Sequence, residues 1–333
     1  MGHRREFNEG DYIKTKDGLF FAVKGSMHPD NLVVAILRYV PDSSGDRVLD
    51  GVRYKRVYDI SSTTEYLRKN NPGYINHIPR LGIELQSVPI SKVTRYYEPR
   101  EWLTEIIANP ESEVEHVLTD FVNILSASSG VSTNSFGVSG SLLIGLQTEG
   151  SDIDINVYGQ GNGRRAYDAL AEIREKQDWV KPLDMELFES VLRSRWEDTG
   201  IPLDQFSSIE SSKVLHGRVH GREYFVRLLM ADDDLVSKPI KRTTIKARVF
   251  DASRSIFNPC LYGITQVSGE TGNLEVSELK SYRGKFTEQA HEGEIVEARG
   301  TLEKVHREDG VYYRLILGES GDYLLPLNSK DNY

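Results

Sequence analysis

One short segment restricts the possible folds of this chain more than any other. Residues 136–143 read FGVSGSLL, and residues 150–155 read GSDIDI. The pattern predicts a short strand that ends at Gly-Ser, a tight turn into a short helix, and a second strand over residues 153–158. With helices predicted on both sides, this arrangement favours a mixed α+β domain.

The polar residues of this segment predict a site for a phosphate and a metal ion. Backbone N–H groups at a helix start can bind an anion, Gly140 lets a phosphate approach the backbone, and Ser141 adds a hydroxyl. Asp152 and Asp154 lie two residues apart on a strand, so both carboxylates project from one face. Mg²⁺ prefers carboxylates and substrate phosphates, which suggests a nucleoside triphosphate. Alternating acids alone are also typical of a solvated strand.

These residues also carry a resemblance to a known family. Gly140-Ser141, ten further residues and Asp152-Ile153-Asp154-Ile155 resemble the signature of the DNA polymerase beta nucleotidyltransferase superfamily. More narrowly, the chain resembles the minimal predicted nucleotidyltransferases of archaea, in which two β modules flank the domain. The resemblance implies Mg²⁺-dependent transfer of a nucleoside monophosphate from an NTP such as ATP to an acceptor hydroxyl, with release of pyrophosphate.

The resemblance also assigns a role to each residue of the signature. It implies that Ser139, Gly140 and Ser141 bind the triphosphate and that Asp152 and Asp154 are the catalytic metal ligands. An RNA or another nucleic acid is one candidate acceptor. The alternative function is a catalytically degenerate module that senses NTP or binds nucleic acid.

The position of the superfamily's third acid is occupied by Arg227. A guanidinium cannot ligate Mg²⁺, because it has donors and no acceptor. We therefore expect a one-metal site, with a two-metal site as the alternative if the loop at residues 232–234 supplies an acid. Glu223 is on the same face of this strand, but it lies four residues before Arg227 and is therefore too far from the expected position of the third acid. Arg227 either binds a phosphate or forms an ion pair with Asp152 or Asp154.

The chain is predicted to have three parts. Residues 1–98 form a β-rich module, residues 99–110 a linker, residues 111–237 a nucleotidyltransferase-like mixed sheet with helices, and residues 238–333 a small barrel or OB-like module. Within these parts we expect hairpins at Gly18-Leu19, Asp50-Gly51 and Gly221, and helices at residues 63–70, 164–176, 184–196 and 202–213.

Composition excludes several classes of protein. The 333 residues carry a net charge of −9, which argues against a general polyanion binder. With 38% hydrophobic and 27% charged residues, neither a membrane protein nor a disordered chain is expected. Cys260 is the single cysteine, so disulfides and cysteine metal cages are excluded, and it is predicted to be buried. The first residues lack an apolar signal sequence, so a cytoplasmic protein is expected, without a membrane partner.

Three weaker patterns each allow two interpretations. Two basic runs suit single-stranded nucleic acid or ordinary solvated edge strands; they comprise Arg53, Lys55 and Arg56 with Tyr54 and Tyr58, and Lys238, Lys241, Arg242, Lys246 and Arg248. His216 and His220 are spaced for zinc, but an exposed hairpin is favoured. The glycines of residues 159–164 superficially resemble a dinucleotide loop, and a flexible turn is favoured.

Overall fold

The computed structural model describes residues 6–57, 59–79, 82–183, 203–233 and 235–327. The chain divides into two compact units, residues 1–157 and residues 158–333. Helices and several sheets occur together, which confirms the predicted α+β class. The three-part division remains a prediction.

The first unit begins with a sheet of eight strands. Its path runs β4-β5-β3-β2-β1-β8, and β7 pairs with both β3 and β6. The strands are β1 (Tyr12–Thr15), β2 (Phe20–Val23), β3 (Leu32–Pro41), β4 (Arg47–Leu49), β5 (Val52–Arg56), β6 (Ile75–Ile78), β7 (Ile83–Pro89) and β8 (Val93–Tyr97). Antiparallel β1–β2 and β4–β5 pairs confirm both predicted hairpins, and helix α1 (Ile60–Asn70) confirms the predicted helical segment.

The first unit continues with the elements that carry the signature residues. These are α2 (Pro99–Ala108), α3 (Glu113–Ser129), β9 (Phe136–Val138), α4 (Gly140–Leu143) and β10 (Ile153–Tyr158). Ser112 and Glu115 form a capping box at the start of α3, which fixes where this helix begins. Pro99 opens α2, so most of the span expected as a linker is helical, because proline is well suited to the first turn.

The second unit begins with α5 (Gln160–Lys176), β11 (Val180–Pro182), α6 (Leu203–Ser212), β12 (His216–Val219) and β13 (Arg222–Leu229). The β12–β13 hairpin confirms the turn at Gly221. Helix α5 starts four residues earlier than expected, so the turn predicted for residues 159–164 was wrong. The helix predicted at 184–196 lies outside the described residues.

The rest of the second unit is almost entirely β. Its strands are β14 (Val236–Asp251), β15 (Phe257–Asn258), β16 (Cys260–Gly269), β17 (Val276–Ser281), β18 (Ile295–Arg307), β19 (Gly310–Leu317) and β20 (Tyr323–Pro326). The strands in the order β14-β16-β17-β19-β18 form a closed ring, because β14 also pairs with β18. Strands β17 and β19 are parallel and the other pairs of this ring are antiparallel. Lys246 and Arg248 lie where β14 has partners on both sides, whereas Lys238, Lys241 and Arg242 precede Ile245 and lie where β14 pairs with β18 alone, so the edge-strand interpretation still fits these three.

A buried acid in the first unit makes its stability depend on pH. Asp11 accepts hydrogen bonds from the Asn8 N–H and the Tyr96 hydroxyl, both at 2.7 Å. Burial nevertheless raises the pKa of Asp11 from 3.8 to about 7. The folded state therefore takes up a proton, and stability falls as the pH rises from about 4 to 7.

We expect Asp11→Asn to remove this pH dependence, since an amide oxygen can accept the same two hydrogen bonds. Above pH 7 the variant should be more stable than the wild type by roughly 2–4 kcal/mol. Urea unfolding at pH 5 and pH 8 measures the effect. The exposed Glu65→Gln removes the same charge and should leave the pH dependence unchanged. Equal pH dependence in Asp11→Asn and the wild type would contradict the assignment.

Candidate functional site

The turn from β9 into α4 brings the backbone of Gly140 next to β10. Strands β9 and β10 are antiparallel, with Val138 opposite Ile155, and the Ser139 N–H donates to the Asp154 carbonyl oxygen at 2.9 Å. Gly140 then adopts a φ of +63°, a left-handed conformation that favours glycine. The chain therefore turns directly beside the second aspartate of the signature.

The Asp154 side chain packs so closely against Gly140 that any other residue at position 140 would displace the carboxylate. A Cβ atom added to Gly140 would lie 2.2 Å from Asp154 Oδ2 and 3.2 Å from its Cγ. The glycine thus leaves the space that the carboxylate occupies. Sequence analysis assigned Gly140 to phosphate binding, and the structure adds this contact with a predicted metal ligand.

The first aspartate lies beside an arginine of the N-terminal sheet. Asp152 Oδ1 is 3.9 Å from Arg56 Nη1, and each side chain is 28% exposed. This distance is too long for a hydrogen bond, so the two side chains interact through their opposite charges. Ile153 and Ile155 are fully buried and Asp154 between them is partly exposed, so β10 presents Asp154 on the face opposite its apolar surface, and Asp152 directly precedes the strand.

A hydrogen-bond network holds the loop between the two halves of the signature. The Ser141 hydroxyl donates to Ser151 Oγ at 3.1 Å, and the Thr148 N–H donates to the same atom at 2.9 Å. Arg47 Nη1 donates to the Leu146 carbonyl oxygen at 2.6 Å. Ser139 and Ser141 are both almost fully buried, and their contact with a triphosphate remains a prediction.

Asn156 follows the two aspartates on the same face of β10. Its side chain is fully buried, and neither amide atom has a hydrogen-bond partner among the described residues. It lies opposite Gly137, which has no side chain to fill the facing position. A buried polar group without a partner costs about 1–3 kcal/mol of folding free energy, so Asn156 is a candidate functional residue next to Asp154.

Arg227 lies on β13 in the second unit. Its guanidinium is 5.8 Å from the centre of the Phe225 ring. Glu223, on the same face, is hydrogen-bonded to His216 Nε2 at 2.6 Å. Binding of a phosphate by Arg227 remains a prediction.

The two histidines spaced for zinc have separate partners. His216 is buried and bonded to Glu223, whereas His220 stacks on Trp179 with ring centroids 4.4 Å apart. In the described part of the chain, no three His, Cys, Asp or Glu side chains form a cluster that could hold a metal ion. The hairpin interpretation is therefore the better one, although the buried His216 is not exposed as expected.

In the loop at residues 232–234, which could have supplied a third acid, two of the three aspartates form ion pairs with a lysine. Lys280 is fully buried, and its Nζ lies 2.5 Å from Asp232 Oδ1 and 2.7 Å from Asp233 Oδ1. The Tyr282 hydroxyl donates to Asp232 as well. Both carboxylates thus neutralise a buried cation, which supports the expectation of a one-metal site. Asp234 lies outside the described residues.

The basic runs have structural partners. Tyr54 is buried and so cannot stack on a base, and Arg53 donates to the Gly45 carbonyl oxygen. In β14, Arg242 pairs with Glu319 and Asp322. Lys238 and Lys241 are exposed. Cys260 is buried as predicted, and burial raises the pKa of its thiol to about 12.

Asp152 and Asp154 are suitable ligands for one magnesium ion. They supply hard oxygen donors from adjacent same-face positions, and Gly140 leaves room for the second carboxylate. Two protein carboxylates are what Mg²⁺ commonly takes when phosphates and water complete its coordination. The residues present therefore fit the ion.

Arg47, Arg56 and Asn156 were not predicted from the sequence as part of this site. Alternation along β10 could have identified Asn156, because it continues the face of the two aspartates. Arg56 was noted only as part of a basic run. Its proximity to Asp152 depends on how the N-terminal sheet packs, for which the sequence carries no local signal.

Comparisons with known proteins agree with the signature. Residues 119–213 match the family model described as a nucleotidyltransferase domain. An uncharacterized protein of Methanocaldococcus jannaschii is 28% identical over 324 residues, which cover 92% of this chain and 94% of that protein. No solved structure matches. Among the described residues, no helix is long and apolar enough to cross a membrane.

The family match begins within α3 and ends just after α6, so it includes the Gly-Ser turn and both aspartates. The resemblance seen in the sequence is thereby confirmed for this segment. The match of residues 119–213 to a nucleotidyltransferase domain therefore agrees with the resemblance to the DNA polymerase beta superfamily.

Proposed function

We propose that this protein is a Mg²⁺-dependent nucleotidyltransferase that moves a nucleoside monophosphate from an NTP to an acceptor hydroxyl. The observation that supports the proposal most strongly is the packing of Asp154 against Gly140, with Asp152 two residues earlier, directly before β10. A solvated strand has no need of a glycine that makes room for one carboxylate. The family match over residues 119–213 supports the same reaction class.

In the proposed reaction, the acceptor oxygen forms a bond to the α-phosphorus. The bond from that phosphorus to the oxygen bridging to the β-phosphate breaks, pyrophosphate leaves with the electron pair, and the hydroxyl proton passes to water. Asp152 and Asp154 would hold one Mg²⁺, which neutralises phosphate charge when bound. Gly140 fixes the position of Asp154, and the bond from Ser141 to Ser151 keeps the intervening loop in place.

A nucleic acid is the acceptor class we favour, on the basis of the second unit. The order β14-β16-β17-β19-β18, closed by the β14–β18 pair, is the arrangement expected of an OB-like barrel. Such barrels often bind oligonucleotides, and exposed Lys238 and Lys241 lie on β14. ATP is the donor we would test first.

Calorimetric titration of the four NTPs with Mg²⁺ tests the donor site without knowledge of the acceptor. We expect the wild type to bind at least one NTP and Asp152→Asn/Asp154→Asn to bind it about 100-fold more weakly, because two charged ligands are lost. Asp120→Asn, an exposed acid on α3, is the matched control and should bind like the wild type. Equal binding by the double variant would contradict the proposed site.

Transfer itself is tested with NTP labelled at the α-phosphate. Label should appear in the acceptor, with total RNA offered as acceptor, and should disappear with Asp152→Asn. The alternative, a degenerate NTP-sensing or nucleic-acid-binding module, is favoured by Arg227 in the third-acid position and by the engagement of Asp232 and Asp233 with Lys280. Binding of NTP without any transfer would support it, as would a gain of transfer in Arg227→Asp.

A further inference from the structure

The hairpin formed by β4 and β5 belongs to the N-terminal sheet but lies against the loop of the nucleotidyl site. Arg47, at its start, is 8% exposed, and its Nη1 is 2.6 Å from the Leu146 carbonyl oxygen and 3.5 Å from Ser151 Oγ. A Cβ added to Gly145 would lie 3.4 Å from Leu49 Cδ1. The hairpin is therefore fixed against the loop at two points.

Arg56, at the other end of this hairpin, is thereby placed at the edge of the site. In the antiparallel pair of β5 with β3, Arg56 lies opposite Tyr39, which is buried. The Arg47 guanidinium lies 5.8 Å from the centre of the Tyr39 ring. The stem of Arg56 is thus anchored on a packed part of the sheet. Its guanidinium reaches within 3.9 Å of Asp152 and is partly exposed to solvent.

A cation at this position has opposite effects on the two components of a metal–nucleotide complex. It neutralises the Asp152 carboxylate and therefore lowers the affinity of the site for a metal ion alone. A triphosphate brings several negative charges to the same place, and a guanidinium binds phosphate oxygens through two parallel hydrogen bonds. A purely structural ion pair would have no such second effect.

We propose that Arg56 is a triphosphate-binding residue supplied to the nucleotidyl site by the N-terminal β module. Without nucleotide, Arg56 neutralises Asp152. In the complex with metal and triphosphate, Asp152 would hold the metal and the Arg56 guanidinium would bind the phosphate oxygens. This inference rests on the proposed function, because it assigns a further ligand for the same donor substrate.

Two binding measurements on Arg56→Ala test the proposal, and neither requires turnover. The first is titration with Mn²⁺ alone, followed by electron paramagnetic resonance, and the second is calorimetric titration of ATP with Mg²⁺. We expect Mn²⁺ to bind about 2- to 5-fold more tightly, because a competing charge is lost. We expect ATP to bind about 10- to 100-fold more weakly, because a charged hydrogen-bonding group is lost.

Lys55→Ala is the matched control, because Lys55 is exposed on the opposite face of β5 and its loss removes the same charge. It should leave both affinities unchanged, whereas Arg56→Lys should retain part of the ATP affinity. Weaker binding of both ligands by Arg56→Ala, or no change in either, would overturn the proposal. If the wild type binds ATP in a manner that does not depend on Asp152, the proposed function itself fails, and this outcome is distinct from a failure of Arg56 alone.

Discussion

Gly140→Ala should weaken the binding of the metal–nucleotide complex about 10- to 100-fold. The new Cβ would lie 2.2 Å from Asp154 Oδ2, so the carboxylate must turn away from its position. Displacement of a group that orients a metal ligand typically lowers metal affinity about 10- to 100-fold. The φ of +63° adds a backbone cost of about 1–2 kcal/mol to the free energy of folding. Calorimetry with Mg²⁺ and ATP, together with urea unfolding, measures both effects.

Two further variants separate the contact from the backbone cost. Gly150→Ala lies in the same loop, and its added Cβ meets no described atom within 4 Å, so it should behave like the wild type. In an Asp154→Ala background the clash is gone, and Gly140→Ala should then cost only the backbone part of the stability loss. Full nucleotide affinity in Gly140→Ala would show that the position of Asp154 does not matter for binding.

Lys280→Met should produce the largest loss of stability in the second unit. The Lys280 ammonium is fully buried between Asp232 and Asp233; its removal takes this cation from Asp232 and leaves Asp233 with the longer pair to Arg314 Nη1, at 3.6 Å. Breaking a buried pair from one side costs about 3–5 kcal/mol, and we expect about 3 kcal/mol because both acids retain some contact with water. Urea unfolding at pH 7 provides the measurement.

The pH dependence of this loss has a defined sign. Burial alone would raise the pKa of Asp233, but the hydrogen bond and charge of Lys280 outweigh burial and lower it below 3.8. The pair therefore stabilises the fold above pH 4, and its contribution is lost as the pH falls through the lowered pKa. The difference in the free energy of unfolding between the wild type and Lys280→Met should therefore become smaller as the pH falls below 4. The exposed Lys238→Met serves as the control, and a similar loss of stability in both variants would contradict the argument.

The sequence was most informative where a structure is formed by neighbouring residues. The strand, the Gly-Ser turn and the strand with Asp152 and Asp154 lie within about 20 residues, so spacing and alternation determine their relation. The contact between Gly140 and Asp154 follows from that local antiparallel pair. Hairpins with Asp-Gly or a turn glycine were predictable for the same reason.

The glycines before α5 show why a local pattern can mislead. Their spacing indicated a flexible turn, yet Gly161 and Gly163 lie inside the helix. A Cβ at Gly163 would lie 2.7 Å from the Phe257 ring and 3.3 Å from the Leu228 Cβ. The glycine allows close packing with residues distant in sequence. That packing outweighs its low helix propensity, and no local pattern reveals it.

Arg56 is the corresponding case within the site. It and Asp152 are separated by almost a hundred residues, and their proximity depends on the register of β5 in the sheet. From the sequence, Arg56 could not be distinguished from its exposed neighbour Lys55. The same applies to the basic residues of β14, because the sequence does not show that Lys246 and Arg248 have strand partners on both sides whereas Lys238 and Lys241 lie where β14 pairs with β18 alone.

The contact of the β4–β5 hairpin with the loop at residues 144–152 bears on the order of folding during synthesis. Arg47 and Leu146 are 99 residues apart, so the sheet that carries the hairpin leaves the ribosome well before its partner loop. Because N-terminal segments generally fold first, the loop would form against a surface that already exists. A fragment that starts at residue 111 would keep every residue of the signature and lose Arg47 and Arg56, so it would lack both the support of the loop and the cation beside Asp152.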